Sequence, residues 1–143
     1  TIISVIQASI IMMLFPLLGI SLDLMAISSA IAISFLLAFC IASLGIIIAT
    51  FFESFESFSA IMNFIVMPMF FLSGAMYPVN KLPAILQFIT KINPLTFGID
   101  ALKHAILPGY QIYDFPLLLD ISVLILFSIV FVTAAGFLFE RNK

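Results

Sequence analysis

The chain has 143 residues, of which 64% are hydrophobic and only 8% charged, and its mean hydropathy is +1.36. A soluble domain carries roughly 45–50% apolar and 25% charged residues, so a water-soluble fold is excluded, and the 17 Phe and long Ile/Leu runs leave apolar surface that must face lipid. Net charge is −2, with neither a basic run suited to nucleic acid nor an acidic tail, so no nucleic-acid partner is expected.

A membrane-spanning helix needs about 20 predominantly apolar residues, and four segments reach that length. The first, 1–20, starts at Thr1 without the charged region of a signal peptide, contains Gln7 and Pro16, and closes at Ser21-Leu22-Asp23. Its abrupt beginning reads as that of a fragment lacking an N-terminal part. The second, 27–52, is uncharged and ends at Glu53 and Glu56, an acidic pair that marks a short aqueous turn. Ala30, Ser34, Ala38 and Ala42 recur within it at steps of four, a small-residue stripe that predicts close packing against another helix, inside a bundle or across a dimer. Cys40 lies in the same run with no second cysteine to pair with, and reads as a packing residue.

The third segment, 58–76, contains Asn63, Pro68 and Gly74. Pro68 removes a backbone donor and predicts a kink or break. Gln7 and Asn63 are uncharged polar residues suited either to interhelical hydrogen bonds or to lining a path. The 39 residues of 77–115 are too apolar for a free loop, yet Pro78, Pro83, Pro94, Pro108 and Gly109 break them. A short helix is predicted over 83–91. Asn93-Pro94 then fits a helix N-cap followed by proline at the first helical position, starting a second helix that runs through Ala105 and stops at Leu107-Pro108-Gly109. The fourth span, 117–139, has Asp120 near its start and ends in Glu140-Arg141-Asn142-Lys143. The expected fold is therefore all-α and polytopic: four transmembrane helices, with two short re-entrant or interfacial helices between the third and fourth.

No catalytic constellation appears. His104 is the single histidine, and the sequence lacks a GxSxG, an HExxH and a glycine-rich phosphate loop. No enzyme activity, cofactor or metal is expected of this chain, and any ATP that drives it would be bound by another. Asp100, Lys103 and His104 share one helical face at i, i+3 and i+4. They read as a structural ion pair rather than a proton relay, because no run of carboxylates continues into the spans, and Asp120 reads as an interfacial anchor rather than a coupling-ion ligand. Lys81, Lys91 and Lys103 lie on one face of the expected topology, and Arg141 and Lys143 on the other. This tally mildly favours a cytoplasmic 77–115 segment.

One stretch is specific: Phe70-Phe71-Leu72-Ser73-Gly74-Ala75-Met76-Tyr77-Pro78, then Leu82-Pro83, then Asn93-Pro94-Leu95-Thr96-Phe97-Gly98-Ile99-Asp100-Ala101-Leu102-Lys103. In order and spacing this resembles the C-terminal part of the type-2 ATP-binding-cassette exporter permeases. The resemblance implies that the whole chain, 1–143, is the C-terminal part of a permease domain, its spans being the last four of six. It further implies a multi-pass protein of the cytoplasmic membrane, surrounded by lipid, with both termini inside and 77–115 outside, against the lysine tally. An ATPase subunit and a second permease protomer, identical or paralogous, are the implied partners. Ser73, Gly74, Pro78, Pro83, Asn93, Pro94, Leu95, Thr96, Asp100 and Lys103 would form an outer gate. The Ser-Gly-Ala-Met-Tyr-Pro form is closer to the multidrug and lipid-type branch than to the polysaccharide exporters, and implies an amphipathic drug-like or lipid cargo. Lys103 stands where relatives often carry arginine, which keeps the charge and loses bidentate geometry. The alternatives are an ion-coupled secondary transporter and a non-transporting membrane assembly subunit.

Overall fold

The computed structural model describes residues 1–19, 22–107 and 113–141, and among these every regular element is helical. Six α-helices occur: α1 (Ile2–Met13), α2 (Leu24–Ala49), α3 (Phe55–Phe71), α4 (Ala84–Thr90), α5 (Pro94–Ile106) and α6 (Leu117–Arg141), with 3-10 turns at Phe15–Leu18 and Val79–Lys81.

Local chemistry sets the helix starts. The Asp23 carboxylate accepts from the Ala26 amide at 2.7 Å and begins α2, and the Ser54 hydroxyl accepts from the Ser57 amide at 3.2 Å and begins α3. Pro16 stands at the head of the 3-10 turn that follows α1, and Gly19 closes that turn at φ 76°. Side-chain hydroxyls of Ser9, Ser43, Ser122, Ser128 and Thr133 donate to the carbonyl four residues back, so each polar group is satisfied within its own helix.

Among the described residues two helices, Leu24–Ala49 and Leu117–Glu140, are long and apolar enough to cross a bilayer. The other two expected spans are occupied by shorter apolar helices. At 1.5 Å per residue the 12 residues of α1 reach only about 18 Å and the 17 of α3 about 26 Å, against a hydrocarbon core of about 30 Å. Chain breakers account for the shortening: Pro16 ends α1 early, and the turn at Ser73-Gly74, with Gly74 at φ 77°, ends α3 at Phe71. Pro68 is accommodated inside α3. Within 77–115 the two short helices occupy 84–90 and 94–106, within a residue of the expected bounds, whereas the Pro108-Gly109 stop lies outside the described residues.

α2 is the centre of the packing. It packs most extensively against α6 and α5 and also against α1, while α3 touches α2 and α5 more lightly. Ala30, Ile33, Cys40 and Ile48 of α2, Phe97 and Ala101 of α5, and Leu124 and Ala135 of α6 are the buried apolar residues of these three helices. Large apolar side chains such as Phe64, Leu118 and Phe137 point outward, as helices solvated by acyl chains require.

Candidate functional site

The two sequence motifs separated by some twenty residues meet in space. α3 ends with carbonyls that have no partner further along the helix, and α5 begins beside them. Asn93, buried at that junction, serves both ends: its Oδ1 accepts from the Leu95 amide at 3.0 Å, and its Nδ2 donates to the Met69 carbonyl at 2.7 Å. Pro94 occupies the first turn of α5, where no amide is needed. One turn on, the Thr96 hydroxyl donates to the Leu72 carbonyl at 3.5 Å, and the Ser73 hydroxyl donates to the Phe70 carbonyl. Helices α3 and α5 are thus coupled end to start by the buried side chains of Asn93 and Thr96.

A second layer lies one turn further along α5. Asp100, 2% exposed, receives the amide of Asp114 at 2.9 and 3.0 Å and that of Phe115 at 2.8 Å, which folds the approach to α6 back onto α5. Lys103 Nζ lies 3.6 Å from the Asp100 carboxylate and 3.9 Å from that of Asp114. Asp114 Oδ2 in turn accepts from the Val79 amide at 3.4 Å. Gly74 faces this cluster: a Cβ there would stand 3.0 Å from Val79, 3.6 Å from Lys103 Nζ and 3.7 Å from Asp114 Oδ2. Its left-handed backbone and the crowded space both favour glycine.

Of the expected gate residues, Ser73, Gly74, Asn93, Pro94, Thr96 and Asp100 are buried and Leu95 and Lys103 half-buried in one connected patch. Pro78 and Pro83 are exposed, flanking the 3-10 turn and preceding α4, and contribute shape rather than contacts.

The sequence profile of the ABC-2 type transporter family matches residues 1–107, three quarters of the chain, and spans both motifs just described. The chain belongs to that family. Among its relatives, nodulation protein J of Rhizobium meliloti is 41% identical over 66 residues, covering 46% of this chain and 25% of that protein. Nodulation protein J of Sinorhizobium fredii is 32% identical over 115 residues, 78% of this chain and 42% of that protein. The inner membrane transport permease YadH of Escherichia coli is 26% identical over 99 residues, 69% of this chain and 38% of that protein. The chain therefore spans between 25% and 42% of the length of these relatives. No solved structure matches it. Family and apolar helices together make it a membrane protein.

Sequence reasoning about this ABC-2 chain missed Asp114, whose partner Asp100 lies fourteen residues away with no periodic signal linking them. It also missed the destination of His104. The ring stacks on Tyr113 at a centroid distance of 3.8 Å, and its Nε2 sits 2.8 Å from the Phe115 carbonyl and 4.0 Å from Asp120 Oδ2. Asp120, expected at the interface, is fully enclosed. Of the small-residue stripe, Ala30 is buried, Ser34 and Ala38 are half-buried and Ala42 is exposed. Ala38 and Ala42 line a hollow of about 460 Å³ with Thr1, Ser4, Phe58 and Met62, between α1, α2 and α3. Asn63 and Gln7 are both exposed on the helix surface.

Proposed function

We propose that this chain is the C-terminal part of the membrane-spanning permease of an ATP-driven exporter. In this reading it moves an amphipathic drug-like compound or a lipid outward across the cytoplasmic membrane, working as one of two protomers with ATP hydrolysed on a separate subunit. The observation that carries the reading is the buried polar junction of α3 and α5. Asn93 and Thr96 join the end of one helix to the start of the next, so the pair moves as a unit when either is displaced. A rocking motion driven from the cytoplasmic side is then delivered to the 77–115 segment as a rigid movement instead of being absorbed by a soft loop. That segment lies outside and forms the outer gate, with Gly74, Pro78 and the Asn93–Thr96 turn at the point of opening. The family supports the transport role, and the name of the Escherichia coli relative supports an inner-membrane location.

The test is reconstitution of the full-length permease with its ATPase in proteoliposomes, following outward movement of a fluorescent lipid and of an amphipathic dye against ATP consumed. Export should require hydrolysis and cease with an ATPase lacking its phosphate-binding lysine. Export that continues without the ATPase and follows an imposed ion gradient would instead establish a secondary carrier, and no movement of any amphiphile beside an intact ATPase would point to an assembly role.

A further inference from the structure

Asp120 presents an unusual electrostatic situation at the start of α6. Its residue is 0% exposed, and among the described residues neither carboxylate oxygen accepts a hydrogen bond. An ionised carboxylate in such a place has exchanged its hydration for nothing. Among the described residues the groups facing it are few. α5 presents Asp100, Lys103 and His104; the 113–116 approach presents Tyr113 and Asp114; and Asp23, at the head of α2, lines the adjoining cavity. Lys103 is committed to Asp100 and Asp114. Of these groups, His104 is the one whose ring can reach Asp120, at 4.0 Å.

Asp100, His104 and Asp120 each offer an atom within 4.8 Å of the other two, a spacing that invites a metal ion. The local bonding argues against one. Both oxygens of Asp100 already receive backbone amides, and the Lys103 ammonium would sit beside a dication. The Phe115 carbonyl can only accept, so Nε2 of His104 carries a hydrogen and offers no lone pair. A larger ligand is excluded by the complete enclosure of Asp120. A proton fits without displacing an atom.

Access is also built in. A cavity of about 440 Å³ between α2, α5 and α6 is lined by Asp23, Ser29, Ile33, His104, Ala105 and Leu117, so the imidazole separates the cavity from Asp120. We propose that Asp120 is a proton-binding site of this permease, charged and discharged through His104 from that cavity. The imidazole takes a proton from cavity water at Nδ1. Its Nε2 hydrogen leaves the Phe115 carbonyl for Asp120 Oδ2, which leaves the ring neutral as its Nδ1–H tautomer; on discharge the Asp120 proton returns to Nε2, the Nδ1 proton leaves to cavity water, and the Nε2–H hydrogen bond to the Phe115 carbonyl re-forms. This holds whatever cargo the permease carries.

The test uses the full-length permease in lipid nanodiscs and the infrared carbonyl band of a buried neutral carboxylic acid. The wild type should show the band at neutral pH, Asp120→Asn should lack it, and Asp120→Glu should shift it, which keeps the assignment secure should the Asn variant fold poorly. His104→Gln should keep the band and slow its response to a pH jump by about 100-fold, the scale of a positioned proton-transfer group. A wild-type spectrum without an Asp120-dependent band overturns the site, and an unchanged rate in His104→Gln overturns the relay. Zinc or manganese(II) raising the melting temperature of the wild type and not of Asp120→Asn would show that the cluster is a metal site instead.

Discussion

Gly98 sits midway along α5 where that helix crosses α2, and replacing it with alanine probes how closely the two approach. An added Cβ would stand 2.9 Å from Leu37 Cγ and nearer still to both terminal methyls. With Cγ itself inside van der Waals range, rotating the tip of Leu37 brings no relief. The side chain must change its first torsion, or the helices must part. Overpacking costs about 1–3 kcal/mol, and a clash with three atoms of one side chain belongs in the upper part of that range, about 2–3 kcal/mol; the gain in helix propensity from glycine to alanine returns about 1 kcal/mol, so Gly98→Ala should destabilise the bundle by about 1–2 kcal/mol net. Leu37→Ala, at a half-buried position, should cost about 2 kcal/mol, the low end for a core leucine. In the double variant the new methyl enters the space vacated by Leu37, and the second substitution should then cost nothing further. Gly136 of α6 is the control: nothing lies within 4 Å of its Cβ position, and Gly136→Ala should be neutral or stabilising. Thermal unfolding of the four proteins in one detergent, with membrane abundance measured in parallel, reads all of these values. If Gly98→Ala behaves like Gly136→Ala, or if its cost survives unchanged in the Leu37→Ala background, the close crossing of α2 and α5 is not what glycine at 98 provides.

Asn93→Ala removes an N-cap, about 1 kcal/mol, and orphans the Met69 carbonyl; abundance should stay near normal while export per ATP consumed falls, and wild-type coupling would reduce the junction to a structural role. Asp100→Asn leaves one of its three amide contacts facing an amide nitrogen in place of an acceptor and strips Lys103 of its closer partner. A loss of about 1–3 kcal/mol in unfolding free energy is expected, and Asp100→Glu should fail to restore it because the donating amides of Asp114 and Phe115 are fixed in place. For orientation, single cysteines introduced in a Cys40→Ser background should be labelled from outside at position 91, and at position 55 only after permeabilisation; the opposite pattern would place 77–115 in the cytoplasm, as the lysine tally favours.

Composition alone determined that the chain lives in a bilayer, because 8% charge cannot solvate so many exposed apolar side chains. The cap at Asn93 was legible in the sequence because it is a local device, a side chain reaching an amide two residues on; those at Asp23 and Ser54, devices of the same kind, showed there only as a polar break and an aqueous turn. The helix over 94–106 followed from Asn93-Pro94 without any knowledge of its neighbours. What the sequence could not disclose is every contact between segments distant along the chain. Nothing in the spacing of Asn93 and Met69 says that one amide will satisfy the other's carbonyl, since that depends on where α3 ends, and its end depends on Gly74 fitting against Val79, Lys103 and Asp114. Asp120 illustrates the point most clearly. Its position one turn into a span suggested a group at the water boundary, but the approach through Asp114 and Phe115, held by Asp100, folds α6 against α5 and closes over it. Depth along a helix is a property of the sequence, whereas exposure is a property of what the remaining helices cover.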